Sequence, residues 1–309
     1  MIDKRLLFIT LSNIGDLVLT TPALLALHTA YPDHRVDIVA DARSSSLLKA
    51  CPFLHTLYHR DKRAGIRGVL ALIGQLRQVR YAAMVDLRTD FVPWLLHGTQ
   101  RTARWRRGPH GPHAVEQHMA VVGRVISKAS MIPNPTVWIT ESDIGFAHDR
   151  LADLRVKRWL ALGPGANWRG KQWPREQFAA LLAECKDTYD GVLILGGGGD
   201  KAIAEYLASR NVLPTVDMTG KSSLTQAVAL LDHAAVFVGN DSGLGHLAAA
   251  RGVPTLTLFG PGRPERYRPW GDRAKILLAP DKNLAHLSAI EVAAALKALP
   301  PKTQSPGRI

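Results

Sequence analysis

Three features of the sequence predict an α/β chain of two tandem domains, each a parallel sheet with crossover helices. Short apolar runs of strand length alternate with segments of helical period. Two prolines in "MIPNPTVWIT", residues 131–140, interrupt that alternation near the middle, where a linker belongs. The length of 309 residues exceeds one ordinary domain and suits two of about 150 residues each.

The elements follow in chain order. LLFIT (6–10) reads as the first strand, Ser12 to Gly15 as a turn, and Asp16 as the opening of an apolar helix in "LSNIGDLVLTTPALLAL" (11–27). VDIVA (36–40) and AAMVDL (82–87) supply further strands of the first half. After the helical segment "FAHDRLADL" come the strands WLALG (159–163), VLILGGGG (192–199), AVFVGND (235–241) and TLTLFG (255–260). Helical patterns such as "REQFAALLAECKDTY" and "SLTQAVALLDHA" lie between them, and "LSAIEVAAALKAL" closes the chain before Pro300 and Pro301. The domains are placed at residues 1–150 and 151–309.

With 46% hydrophobic and 21% charged residues, the composition is that of a soluble globular protein. Asp3, Lys4 and Arg5 precede a short strand rather than the apolar core of a signal peptide. No apolar run reaches bilayer-spanning length, since threonines and Pro22 interrupt the candidate. Cys51 and Cys185 fall one in each half without CxxC spacing, which supports neither a disulfide framework nor a zinc site. A cytoplasmic protein is expected.

The net charge is +13, which favours anionic partners without specifying a fold. From Arg60 to Arg107 the chain carries eleven Arg or Lys against three acids. Such a stretch is either a solvated basic face or a docking surface for a phosphorylated substrate or anionic lipid head groups. His110, His113 and His118 crowd "GPHGPHAVEQH", but their spacing around Pro112 fits no helix-borne metal pair, and no metal is expected.

Several glycine-containing turns follow strands. Gly165 to Lys171 satisfies the first part of a nucleotide-triphosphate loop. Gln172 then replaces the magnesium-binding hydroxyl, and Pro174 keeps Trp173 out of helical geometry, so the helix cannot begin at the lysine. What survives is a loop lysine able to pair with a diphosphate, or simply a solvated one. "LGGGGDKAIAEYL" lacks the final glycine of a dinucleotide fingerprint. Its Asp200 can accept from ribose hydroxyls or cap a helix. In "FVGNDSGLGHLAAARGVPTLTLFGP" a strand ends at Asn240, and Asp241, Ser242 and Gly243 open a helix, so N–H groups converge where open α/β sheets hold anions. Asp241, Ser242 and His246 do not make a hydrolase, because the G-x-S-x-G elbow is missing. Asp16 is open to two readings as well, a helix-capping acid or a catalytic carboxylate.

"LFITLSNIGDLVLTTPALLAL", "LGPGANWRGKQWP", "MTGKSSLTQAVALL" and "GNDSGLGHLAAARGVPTLTLFGPGRPERYRPWG", in that order, resemble the lipopolysaccharide heptosyltransferases, glycosyltransferase family nine. The resemblance implies a GT-B architecture: two Rossmann-like, doubly wound domains facing a central cleft, with acceptor on the first and nucleotide-sugar on the second. It implies inverting, metal-independent transfer of heptose from ADP-heptose to the lipopolysaccharide inner core, with no cofactor. By motif, Asp16 matches the general base and Lys171 the lysine that steadies the diphosphate. Asp241, Ser242, Gly243 and His246 match the segment holding phosphate and sugar, Asp200 the ribose acid, and Ser222 the adenine-recognising turn. Asn13, Arg104, Arg106 and Arg107 are assigned to the acceptor side. Contact with the anionic cytoplasmic face of the inner membrane is expected, and nucleic-acid binding is not. The chain departs from some members at Asn167 and Trp168, where those carry hydroxyl residues.

Two alternatives stay open. A different GT-B transferase or a sugar-nucleotide epimerase would show a different nucleotide preference. A basic nucleic-acid-binding protein has only total charge in its favour, and that charge is spread as +7 over residues 1–155 and +6 over the rest.

Overall fold

The computed structural model describes residues 4–59, 63–106, 108, 110–126, 131–152, 154–299 and 302. The chain divides into two compact units, Met1–Trp138 and Ile139–Ile309.

In the first unit, β1 (Arg5–Ile9), α1 (Ile14–Ala30), β2 (Arg35–Ala40), β3 (Leu54–His59), α2 (Gly65–Leu76), β4 (Arg80–Asp86), β5 (His97–Ala103) and α3 (Ala114–Val122) follow one another. The strands form one parallel sheet in the order β3-β2-β1-β4-β5. Strand order reverses between β1 and β4, where Ile9 pairs with Asp86. Leu7, Ile9, Tyr81 and Met84 of the sheet pack with Leu72, Ile73 and Leu76 of α2 on one face.

Helix α1 begins at Ile14, two residues ahead of Asp16, and runs through Pro22 without a break. Proline has no N–H for the Val18 carbonyl one turn back. The Thr21 hydroxyl donates to that carbonyl instead, at 2.8 Å, and accepts from the Thr136 N–H at 2.9 Å. Thr20 donates to the Leu17 carbonyl and meets Thr10 Oγ1 at 2.6 Å, tying the helix to the end of β1. The "TTP" triplet thus supplies its own repair, and the helix stays buried from Leu17 to Leu24.

In the second unit, α4 (Glu141–Leu151), β6 (Trp159–Gly163), α5 (Arg175–Cys185), β7 (Gly191–Ile194), α6 (Lys201–Ala208), β8 (Thr215–Asp217), α7 (Leu224–Leu231), β9 (Ala234–Asn240), α8 (Gly243–Ala250), β10 (Thr255–Phe259), α9 (Pro264–Tyr267), β11 (Ala274–Leu278) and α10 (Ala289–Lys297) build a six-stranded sheet. Its order is β11-β10-β9-β6-β7-β8, all parallel, reversing between β6 and β9. At that reversal Gly163 faces Gly239. A Cβ on Gly239 would lie 2.6 Å from the Gly163 carbonyl oxygen, and one on Gly163 would lie 2.6 Å from the Phe237 ring, so the close approach requires glycine at both positions.

The linker expected at 131–140 is extended chain, and the units part within it. The division falls ahead of α4, not after it at 150/151. Asp143 of α4 accepts from the Thr225 hydroxyl of α7 at 2.8 Å, so the helix belongs to the second unit. Among the described residues no helix is long and apolar enough to cross a membrane.

Candidate active site

Open parallel sheets gather ligands outside their carboxyl edge, at the point where strand order reverses. Each unit has one such point, with Asp16 following β1 in the first and Lys171 and Asp241 following β6 and β9 in the second.

In the first unit the turn after β1 leads into α1. Asn13 is the N-cap residue, but its side chain does not cap the helix; its amide donates to Asp16 Oδ2 at 2.9 Å. Asp16 is half-buried in the first turn, so the Asn13 amide aims an accessible carboxylate. At the end of β4, the strand paired with β1, Asp86 is fully buried. Its carboxylate accepts from the Arg88 and Thr89 N–H groups at 2.8 and 2.7 Å and from the Thr89 hydroxyl. Burial raises the Asp86 pKa above the ordinary carboxylate value despite those donors. Asp86 fixes the turn that carries Asp90, and Asp90 in turn forks with Arg104.

Arg104 is therefore an ion-paired side chain, its pKa raised by the Asp90 hydrogen bonds. Arg106 is exposed, its guanidinium 5.7 Å over the Trp105 ring. Arg107, Arg60 and Lys62 lie outside the described residues. The three histidines have separate tasks: His113 caps α3 through Val115 N–H at 3.2 Å, His118 meets the Leu19 carbonyl at 3.0 Å, and His110 contacts the Gly111 carbonyl. Among the described residues no group of three His, Cys, Asp or Glu is placed to hold a metal.

In the second unit the loops after β6, β7, β8 and β9 meet at the carboxyl edge. Lys171 sits in a single 3-10 turn, Arg169–Lys171; Gln172 is extended and α5 starts only at Arg175, so the lysine precedes the helix instead of opening it. Its ammonium is ion-paired with Asp241. Asn240, fully buried, holds this loop: its Oδ1 accepts from the Trp173 N–H at 3.0 Å and its Nδ2 donates to the Pro164 carbonyl at 2.7 Å. Asn240 was not among the sequence candidates; a polar amide ending an otherwise apolar strand is the signal that marks it.

Asp200 points back toward the sheet. Its Oδ2 accepts from the Gly197 N–H at 2.8 Å, and a Cβ on Gly165 would lie 2.3 Å from its carboxylate. Gly220 has φ +66°, and its N–H donates to the Gly196 carbonyl at 3.0 Å, so the turn bearing the half-buried Ser222 leans on the glycine loop.

Helices α3, α4, α7 and α10 each start with a side-chain capping box. Helix α8 differs. Its N-cap residue, Ser242, makes no capping bond, and the Ser242 hydroxyl is buried without a hydrogen-bond partner. Gly243 follows with no side chain to block approach, and His246 is buried one turn further in. A bare helix N-terminus with an unspent hydroxyl beside a lysine is a site for a polyanion.

The sequence matches the model of glycosyltransferase family 9 (heptosyltransferase) over residues 69–294. It is 28% identical over 291 residues to lipopolysaccharide heptosyltransferase 3 of Escherichia coli strain K12, covering 83% of this chain and 82% of that protein. In fold it is similar to a glycosyl transferase of family 9 from Veillonella parvula, with TM-score 0.82, 21% identity and coverage of 96% and 98%. It is likewise similar to E. coli heptosyltransferase WaaC with ADP, with TM-score 0.78, 20% identity and coverage of 95% and 99%. The two-unit fold is the GT-B fold of those structures.

Proposed function

Since the chain belongs to glycosyltransferase family 9, the heptosyltransferases, we propose that it transfers a heptose from ADP-heptose to the lipopolysaccharide inner core with inversion and without a metal ion. The uncapped start of α8 beside Lys171 carries this reading. When the donor binds, its diphosphate takes the Ser242 hydroxyl and the α8 N–H groups, and Lys171 exchanges Asp241 for phosphate oxygen. Those fixed donors stabilise the charge that grows on the leaving diphosphate, the work a metal performs elsewhere. Asp241, Gly243 and His246 complete the phosphate and sugar side, with Asp200 toward the ribose and the Ser222 turn toward adenine.

In the first unit Asp16, aimed by Asn13, removes the proton from an acceptor hydroxyl. The oxygen then attacks the anomeric carbon as the bond to the β-phosphate breaks, releasing ADP. Arg104, Arg106 and Arg107 serve the acceptor, which lies at the anionic cytoplasmic face of the inner membrane.

Calorimetric titration with ADP, UDP and GDP in one buffer tests the donor assignment. Preference for ADP is expected. Preference for UDP or GDP moves the reaction to another nucleotide-sugar, and absence of all binding removes the α8 site.

A further inference from the structure

Between β4 and β5 the chain crosses over through residues 87–96 with one 3-10 turn, Val92–Leu95, in place of a helix. Val92, Pro93 and Leu96 face the core. Phe91, Trp94 and Leu95 stay outside, 52%, 36% and 40% exposed, and Trp105 beyond β5 joins them at 64%. The Trp105 ring lies 5.3 Å from that of Trp94, and its N–H donates to the Asp90 carbonyl at 3.1 Å. The polar edge of that indole is thus satisfied by the protein while its apolar surface faces solvent.

The rim is cationic. Arg106 covers one side of Trp105, and Arg77 donates to the Leu95 carbonyl at 2.7 Å. Between Arg63 and Arg106 the only acids are Asp86 and Asp90. The first is buried and the second is taken up by Arg104, so neither carboxylate offsets Arg77 or Arg106.

We propose that this surface seats the protein on a bilayer of anionic phospholipid, with Phe91, Trp94, Leu95 and Trp105 at head-group depth and arginines on the phosphates. Indoles settle at the bilayer–water interface, and basic side chains hold to anionic lipid. The proposal rests on the heptosyltransferase reading for the lipid-borne acceptor, and on the surface alone for the contact. A second copy fits poorly, because a two-fold interface here would set arginines against arginines. Single-stranded nucleic acid stacks on open ring faces, whereas Trp94 and Trp105 close on each other at 34°.

The full chain, without donor or acceptor, is sedimented with vesicles of phosphatidylcholine alone and of phosphatidylcholine with phosphatidylglycerol. Sedimentation with the anionic vesicles only, reversed by salt, is expected. Trp94→Ser with Trp105→Ser should lower the bound fraction about tenfold and leave ADP affinity and the melting midpoint unchanged. Should that pair fail to fold, Phe91→Ser with Arg77→Gln provides the same readout. Equal binding to both vesicle types, no binding, binding that survives in folded variants, or capture of a single-stranded oligonucleotide in place of vesicles overturns the proposal. ADP titration of the same samples reports separately on the donor reading.

Discussion

Asp16 and Asn240 do different work, and their variants should separate. Asp16→Asn keeps the shape of the first turn of α1 and removes the carboxylate proposed as the base, so ADP affinity should hold while turnover falls about 100- to 10,000-fold. Retained turnover would return Asp16 to a helix-capping role. Asn240→Ala leaves the Trp173 N–H and the Pro164 carbonyl buried without partners, at roughly 1–3 kcal/mol each. It should lower the melting midpoint and weaken ADP binding through a loosened Lys171 loop, while the acceptor KM stays put. Lys171 and Asp241 could be read from sequence because glycine turns and helix starts carry strong local signals. Their pairing could not, since it joins loops after two strands that neighbour each other only once the sheet forms. Asn240 escaped for the same reason, its partners lying 67 and 76 residues away.

The same contrast holds for whole strands. The seven apolar runs recognised in the sequence are β1, β2, β4, β6, β7, β9 and β10, the inner strands of the two sheets. Those strands are covered on both faces and must read as continuous apolar runs. The unrecognised β3, β5, β8 and β11 are the four sheet edges, largely half-buried or exposed, where polar residues such as His97, Thr99 and Gln100 are tolerated. In α1, the proline that breaks the apolar run on paper does not break the helix, because Thr21 answers the orphaned carbonyl. Thr21→Val keeps the volume and removes the hydroxyl, which should destabilise the chain by about 1–3 kcal/mol in chemical denaturation. An unchanged midpoint would mean that another group satisfies the Val18 carbonyl.

Both sheets reverse strand order once and place their candidate groups at that reversal, Asp16 near β1 and β4, Lys171 and Asp241 at β6 and β9. Alternating elements announced two α/β units, and the prolines announced the linker, but ownership of α4 was not legible because its packing partner is remote in sequence. A fragment of residues 139–309 is expected to unfold cooperatively and to bind ADP like the whole chain. A fragment of 151–309 lacks Asp143, the partner of Thr225 on α7, and the buried Ala147, and should melt lower, on the order of 2–4 kcal/mol less stable. Equal stability of the two would detach α4 from the second unit.

That ownership also sets a timetable during synthesis. Asp143 and its partner Thr225 are 82 residues apart, and ribosomes add roughly 5–20 residues per second. The first unit has all its strands before α4 emerges, yet α4 then waits on the order of 4–16 s for α7. Through that interval Ala147 and Leu151 have no α7 to cover them, which makes α4 the segment a nascent-chain chaperone would meet first in the second unit.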